Sequence, residues 1–182
     1  MRARFFNKAI LSRTTSVADT ELFADLYQTH TYAVFNYCLF RVNDRDVAED
    51  LTADIFERGW RARHTYNSDR AAFNTWLFTI ARRVVTDWQR RRARRSFIRL
   101  SDQQPSPLPS PETRLEESEE QNHLRRLVSQ LQPHEQELIA LKFGAGMNNR
   151  EIAKIIDKTE TAVGSTLHRI MKKLRHRWDK TG

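Results

Sequence analysis

The chain predicts an all-α protein: two small helical domains joined by a flexible, Pro-rich linker, the second containing a helix-turn-helix. Three observations carry that expectation. Apolar residues recur three and four apart through most of the chain, the period of an amphipathic helix. Turn formers are scarce, with Gly 5 and Pro 5 in 182 residues, which argues against many short strands. Prolines gather instead in Leu100–Pro111 (LSDQQPSPLPSP), where Pro105, Pro107, Pro109 and Pro111 favour extended backbone and divide the chain in two.

Charge and composition narrow the function. Lys plus Arg total 31 against 23 for Asp plus Glu, a formal net charge of +8. That balance favours an anionic partner, nucleic acid or a membrane surface. No apolar run approaches the ~20 residues of a membrane span. The single cysteine, Cys38, excludes an internal disulfide and fits a reducing compartment. Residues 1–20 begin MRARFFNKAILSRTTSV, basic and without a long apolar core for secretion, and read as a disordered basic tail.

The first helical pattern runs from Glu21 to Val42, with Leu22, Leu26, Ala33, Val34, Tyr37 and Cys38 on its stripe. Asn43-Asp44-Arg45 breaks it. In the next helix Val47, Leu51 and Ile55 adjoin a row of Ala48, Phe56 and Trp60. Its other face is acidic, with Asp46, Glu49, Asp50, Asp54 and Glu57. On a basic protein, such a face points to a second partner that is itself basic. A solvated helix face is the alternative. Arg61–Asn74 has no period and reads as a polar loop carrying Tyr66 and Phe73. The most regular stripe follows: Trp76, Leu77, Ile80, Ala81, Val84, Val85 and Trp88. Its exposed side and continuation are cationic, through Arg82, Arg83, Arg90, Arg91, Arg92, Arg94, Arg95 and Arg99, opposed only by Asp87. Cations that track phosphates, beside rings that receive unstacked bases, are the parts needed to hold single-stranded DNA.

After the linker, Glu112, Glu116, Glu117, Glu119 and Glu120 open a helix with the apolar row Leu124, Leu127, Val128 and Leu131. Pro133 suits the first turn of the next helix, in which Leu138, Ile139, Leu141 and Phe143 pack before Gly144 and Gly146 end it. Asn148–Trp178 then reads as two helices across a very short polar break. Asn148 and Glu151 have capping-box spacing ahead of Ile152, Ala153, Ile155 and Ile156. Asp157-Lys158-Thr159 interrupts, and Thr159 caps a second helix whose stripe is Val163, Leu167, Ile170, Leu174 and Trp178. The opposite face is small and polar at its start and basic toward its end, which suits a recognition helix in a DNA groove. Ser165 and His168 are the candidates for base edges, and Arg169 and Lys172 for phosphates. An ordinary helical hairpin with a basic face is the alternative.

No catalytic or metal-ligating constellation emerges. His30, His64, His123, His134, His168 and His176 are scattered, without His-Glu-x-x-His or cysteine–histidine spacing. Neither a Gly-rich phosphate loop nor a Gly-x-Ser-x-Gly elbow occurs, so no enzyme, cofactor or metal is expected.

Two motif blocks carry a family resemblance. DRDVAEDLTADIFERGW (Asp44–Trp60) with FNTWLFTIARRVVTDWQRRRARR (Phe73–Arg95), and LQPHEQELIALKFGAGMNNREIAKIIDKTETAVGSTLHRIMKKLR (Leu131–Arg175), resemble bacterial extracytoplasmic-function (ECF) sigma factors of the sigma-70 family. The resemblance implies a region 2-like domain at 21–99, a linker at 100–115 and a region 4-like domain at 116–182. It implies that Asp46, Glu49, Asp50, Asp54 and Glu57 dock on the clamp helices of the largest subunit of core RNA polymerase. A second contact with the flap of the second-largest subunit is implied as well. Tyr66, Asn67, Phe73, Asn74, Arg82, Arg83 and Arg90 would melt and read the minus-ten element. Thr161, Gly164, Ser165, His168, Arg169 and Lys172 would read the minus-thirty-five element in the major groove. The linker would thread toward the active centre of polymerase, which supplies all the catalysis. An anti-sigma factor and a bacterial cytoplasmic location are also implied. The chain departs from the pattern at Arg83, where Asn is common, and at Gly164 and Thr166, where long basic residues are common. A stand-alone helix-turn-helix regulator, or a sigma-like protein that binds polymerase without promoter activity, are the alternatives.

Overall fold

The computed structural model describes residues 17–101 and 119–181, and every regular element among them is helical. The N-terminal tail up to residue 16 and the Pro-rich segment lie outside the described residues, as do Glu112, Glu116 and Glu117.

Helix α1 spans Val17–Val42 and buries Val34, Tyr37 and Cys38 completely. Burial pushes the Cys38 thiol up to about 12, against a smaller lowering by its hydrogen bond with Thr52, so it packs as an inert small apolar group. The helix stops at Asn43, whose φ of 53° is a left-handed conformation that Asn tolerates better than most residues. Asp44 then caps α2 (Arg45–Ala62), its Oδ1 accepting from the Val47 N–H at 3.1 Å. Helix α2 lays Ala48, Leu51, Ile55, Phe56 and Trp60 against α1. Rings interlock at that seam: Tyr27 with Phe56 at 4.5 Å, and Phe23 edge-on to Trp60 at 5.0 Å.

A single tight turn at Arg63–Thr65 and a loop lead to α3, Phe73–Ser101, 29 residues and roughly 44 Å at 1.5 Å per residue. Leu77, Phe78, Ala81, Val84 and Val85 close the three-helix core. The helix runs to Ser101, past the expected start of the linker at Leu100. Nothing in RRRARRSFIRLS breaks a helix, and the first proline comes only at Pro105.

The second half contains α4 (Glu119–Ser129), α5 (Pro133–Ile139), α6 (Asn149–Ile156) and α7 (Glu160–Thr181). Pro133 takes the first turn of α5, as expected, and the Glu135 carboxylate accepts from the Gln132 N–H at 2.9 Å. Helix α5 does not end in the regular way. It widens into a π-helical turn at Ala140–Gly144, with the Ala145 N–H reaching back to the Ala140 carbonyl at 2.9 Å. The wider turn shifts the register of its side chains. Leu138, Ile139 and Leu141 pack as expected, but Phe143 is 54% exposed instead of joining them. Gly146, with φ of +70°, then turns the chain into α6.

The two halves touch. Helix α1 lies against α5 and the π turn, and α3 lies against α6. The proline-rich composition of the linker held no sign of this packing.

Candidate nucleic-acid and polymerase interfaces

The acidic residues of α2 occupy one arc of the helix, opposite the apolar residues it buries. Asp46, Glu49 and Asp50 are exposed, and Asp54 and Glu57 are half-buried. Intrahelical pairs neutralise part of this arc: Arg45 with Glu49 at 3.2 Å, Arg58 with Asp54 at 2.8 Å, and Arg61 with Glu57. Asp46 and Asp50 have no ion pair among the described residues. The N-terminal end of α2 therefore presents its free negative charge, and the C-terminal end presents charge already shared with arginine.

The loop and the start of α3 form a second surface. Tyr66 is half-buried and meets Phe73 edge-on at 5.4 Å and Trp76 at 5.5 Å. Phe73, which the sequence reads as part of the loop, opens α3 instead. It is only 8% exposed, wedged among Phe23, His30, Tyr66 and Trp76, so it forms the floor of this cluster. A residue that opens a helix against two others is drawn into the core by the area it buries. Asn67 is exposed, and its Oδ1 accepts from the Asp69 N–H at 2.8 Å, an Asx turn that shapes the loop. Asn74 is half-buried, with an Oδ1 that has no hydrogen-bond partner among the described residues. Arg83 is exposed, and Arg90 lies 4.0 Å from Asp87 on an exposed face. Arg92 stacks over Trp88 at 5.2 Å. Arg82 differs from the others, because its Nε donates to Glu137 of α5 at 2.8 Å.

The third surface is α6–α7. The capping box read from Asn148 and Glu151 forms in both directions, each bond 2.9 Å. Helix α6 ends on Asp157 in the left-handed conformation, φ 56°, and Thr159 Oγ1 accepts from the Ala162 N–H at 3.2 Å to start α7. Val163, Leu167, Ile170 and Leu174 are buried. Thr161, Ser165, His168, Arg169 and Lys172 are all exposed, and they share one arc of α7 with half-buried Gly164. Among the described residues, a Cβ on Gly164 would meet only Asn149 Nδ2, at 3.4 Å. No backbone stands in its way.

A buried polar junction between the halves was missed by the sequence reading. Arg41, 8% exposed, donates to the Pro133 carbonyl at 3.0 Å and to Gln89 Oε1 at 2.8 Å. Gln89 Nε2 returns a bond to the Arg41 carbonyl at 3.1 Å. Beside them Tyr37 is fully buried, and burial raises its hydroxyl pKa well above the ordinary value. Arg41 ends an apolar helix and sits apart from the arginine tract in sequence, so periodicity could not single it out. The only available signal was a charged residue at a position flanked by core residues.

Comparison with known proteins gives these surfaces a common context. Residues 26–95 match the family model for Sigma-70 region 2, and residues 121–174 that for Sigma-70, region 4. The ECF RNA polymerase sigma factor BldN of Streptomyces coelicolor is 30% identical over 90% of this chain, which spans 63% of the BldN length. The RNA polymerase sigma factor YlaC of Bacillus subtilis is 26% identical over 86% of the chain and 92% of its own. SigX of the same organism, an ECF RNA polymerase sigma factor, is 27% identical over 85% and 82%. Among solved structures, the sigma factor RpoE in complex with the anti-sigma factor NepR from Bartonella quintana superposes with a TM-score of 0.70 at 19% identity. It covers 89% of this chain and 99% of that one. CnrH in complex with the cytosolic domain of CnrY gives 0.69 at 21% identity, over 90% and 91%. At those identities the structures speak for the fold, and the paired domain matches speak for the family. Two sigma-70 regions in their proper order, on a chain that aligns along most of its length with sigma factors, place this protein in the sigma-70 family, as a sigma factor of the ECF group.

Proposed function

We propose that this sigma factor divides its work among the three surfaces. The arc Asp46–Asp50, extended by Glu49, Asp54 and Glu57, docks on a basic surface of core RNA polymerase, the clamp helices of the largest subunit. The second half also meets the flap of the second-largest subunit. Tyr66 and Asn67, with Asn74 beneath them, receive an unstacked base of the minus-ten element on a floor made by Phe73. Arg83, Arg90 and, once freed, Arg82 follow the phosphates of the melted strand. Helix α7 enters the major groove at the minus-thirty-five element with Ser165 and His168 toward base edges and Arg169 and Lys172 toward phosphates. The factor works in the bacterial cytoplasm and contributes no chemistry of its own. The solved relative RpoE is in complex with the anti-sigma factor NepR, which supports an anti-sigma partner here as well.

One observation carries this reading. An acidic docking arc, an aromatic–arginine surface and a capped helix-turn-helix occur on one chain. A stand-alone regulator would use the third alone. Transcription in vitro with purified core polymerase and genomic promoter fragments tests it. Discrete transcripts that need both proteins are the expected result. Specific duplex binding with no polymerase-dependent transcript would identify a stand-alone regulator instead.

A further inference from the structure

We propose that the cleft beside Arg41 is a binding site for a nucleotide, with its phosphates between Arg41 and Arg92 and its base against the wall that Trp88 provides. The cleft opens where the end of α1 meets α3 and the first turn of α5, and its volume is about 460 Å³. Sites for small ligands run from roughly 300 to 1,000 Å³. The space therefore suits a mononucleotide and is generous for a bare phosphate. None of its described lining residues belongs to the acidic arc of α2, the aromatic loop or the exposed arc of α7. Occupancy does not depend on how those surfaces act.

Electrostatics argue for an anion. Two of the described lining residues are arginine and none is acidic. Arg41 is only 8% exposed, and a buried charge is costly unless it is paired. Its partners are neutral oxygens, the Pro133 carbonyl at 3.0 Å and Gln89 Oε1 at 2.8 Å. Among the described residues no carboxylate forms an ion pair with it, and its buried Nε has no hydrogen-bond partner. Glu137, which acts together with Arg41 on the Tyr37 hydroxyl, is taken by Arg82 at 2.8 Å. A guanidinium carries five N–H donors in a fixed fork. Two bonds to neutral acceptors leave its charge and most of its donors unmatched. Phosphate fits what remains, because guanidinium holds phosphate oxygens through paired, charge-assisted bonds.

The other side chains of the cleft suit the base. Arg92 is exposed at the rim and lies over the Trp88 ring at 5.2 Å, which holds a second guanidinium at the cleft without spending its charge on a carboxylate. Val42, Trp88 and Pro133 make an apolar wall on which a flat ring can lie. Gln136 spends its amide nitrogen on the Ser129 and Leu131 carbonyls, at 3.0 and 2.9 Å. Its Oε1 is left as an acceptor for the exocyclic amine of a base. An exposed arginine tract attracts any polyanion, whereas a buried arginine, an apolar wall and one fixed acceptor select a small ligand.

The test titrates the full chain with GTP and ATP in about 0.15 M salt, where the exposed arginines are screened. Guanosine and inorganic phosphate serve as the two parts of the ligand. The expected result is saturable binding of one nucleotide per chain, with guanosine and inorganic phosphate each ~tenfold weaker or more. Arg41→Met and, separately, Arg92→Glu should each weaken nucleotide binding ~tenfold or more, with helical content by circular dichroism retained. Arg92 is exposed, so Arg92→Glu decides the matter if Arg41→Met loses the fold. Arg94→Glu makes the same charge change two residues on, roughly 200° round the helix, and should leave nucleotide affinity nearly unchanged. Binding that never saturates, or that Arg94→Glu weakens as much as Arg92→Glu does, is attraction to the arginine tract and overturns the site. No binding of either nucleotide at ~1 mM, by heat or by tryptophan fluorescence, overturns it as well. Inorganic phosphate that binds as tightly as GTP does the same, because the wall would then contribute nothing.

Discussion

Gly164 shows how much can depend on one side chain that is missing. Glycine inside a helix costs about 1 kcal/mol relative to alanine, and among the described residues a Cβ would meet only Asn149 Nδ2, at ordinary contact distance. Gly164→Ala should therefore raise stability, by up to about 1 kcal/mol in urea unfolding. Gly164→Arg should add a base or phosphate contact, since a bidentate guanine contact is worth ~1–3 kcal/mol of discrimination. Selection from a random duplex pool with both proteins checks this, and uniformly weaker binding by the arginine variant would show that close approach to the groove needs the glycine. Tyr66 and Phe73 divide in the opposite way. Tyr66→Ala should leave the fold intact and lower open-complex formation roughly tenfold, the scale of one lost base–aromatic stack. Phe73 is core, so Phe73→Ala should cost about 3–5 kcal/mol of stability. Permanganate reactivity of the melted strand, read beside denaturation curves, separates a lost base contact from a lost core residue.

At the scale of the element, caps and charge arcs decide whether a helix sits where its surface is useful. The Asn148–Glu151 box fixes the start of α6 and hence the angle at which α7 leaves the turn. Asn148→Ala should cost ~1 kcal/mol and weaken duplex binding, although Asn148 is outside the recognition arc. Matched urea melts and duplex titrations check both halves of that expectation. On α2 the free charge of Asp50 and the arginine-shared charge of Glu57 predict unequal effects. Asp50→Lys should weaken core-polymerase binding by ~2–5 kcal/mol if its bond to the partner is desolvated. Glu57→Lys should change mainly the salt dependence. Fluorescence anisotropy at two ionic strengths distinguishes them, and unchanged affinity in the double variant would remove the docking assignment.

For the whole molecule, the contact between halves ties their stabilities together. Separate domains on a linker would melt independently, whereas packed ones share a cooperative transition. The unaltered chain should show one calorimetric transition and Gly144→Val two, because the valine opposes α1 backbone across the junction without entering either core. Two transitions in both proteins would mean that the junction contributes little to stability.

Period and capping chemistry are local, and the sequence by itself determined what depends on them. The helical stripes, the capping box at Asn148, Pro133 at the first turn of α5, the acidic arc of α2 and the exposed arc of α7 all follow from residues within a turn or two of each other. Burial of Phe73 and exposure of Phe143 depended instead on neighbours from other elements and on a π turn that adds a residue to a helical register. The bonds Arg82–Glu137 and Arg41–Pro133 join residues 55 and 92 positions apart. No periodic pattern spans such a distance, and a proline-rich linker reports its own stiffness, not whether the domains at its ends have apolar and charged surfaces that fit. Only the tertiary structure could decide that the two halves close on one another.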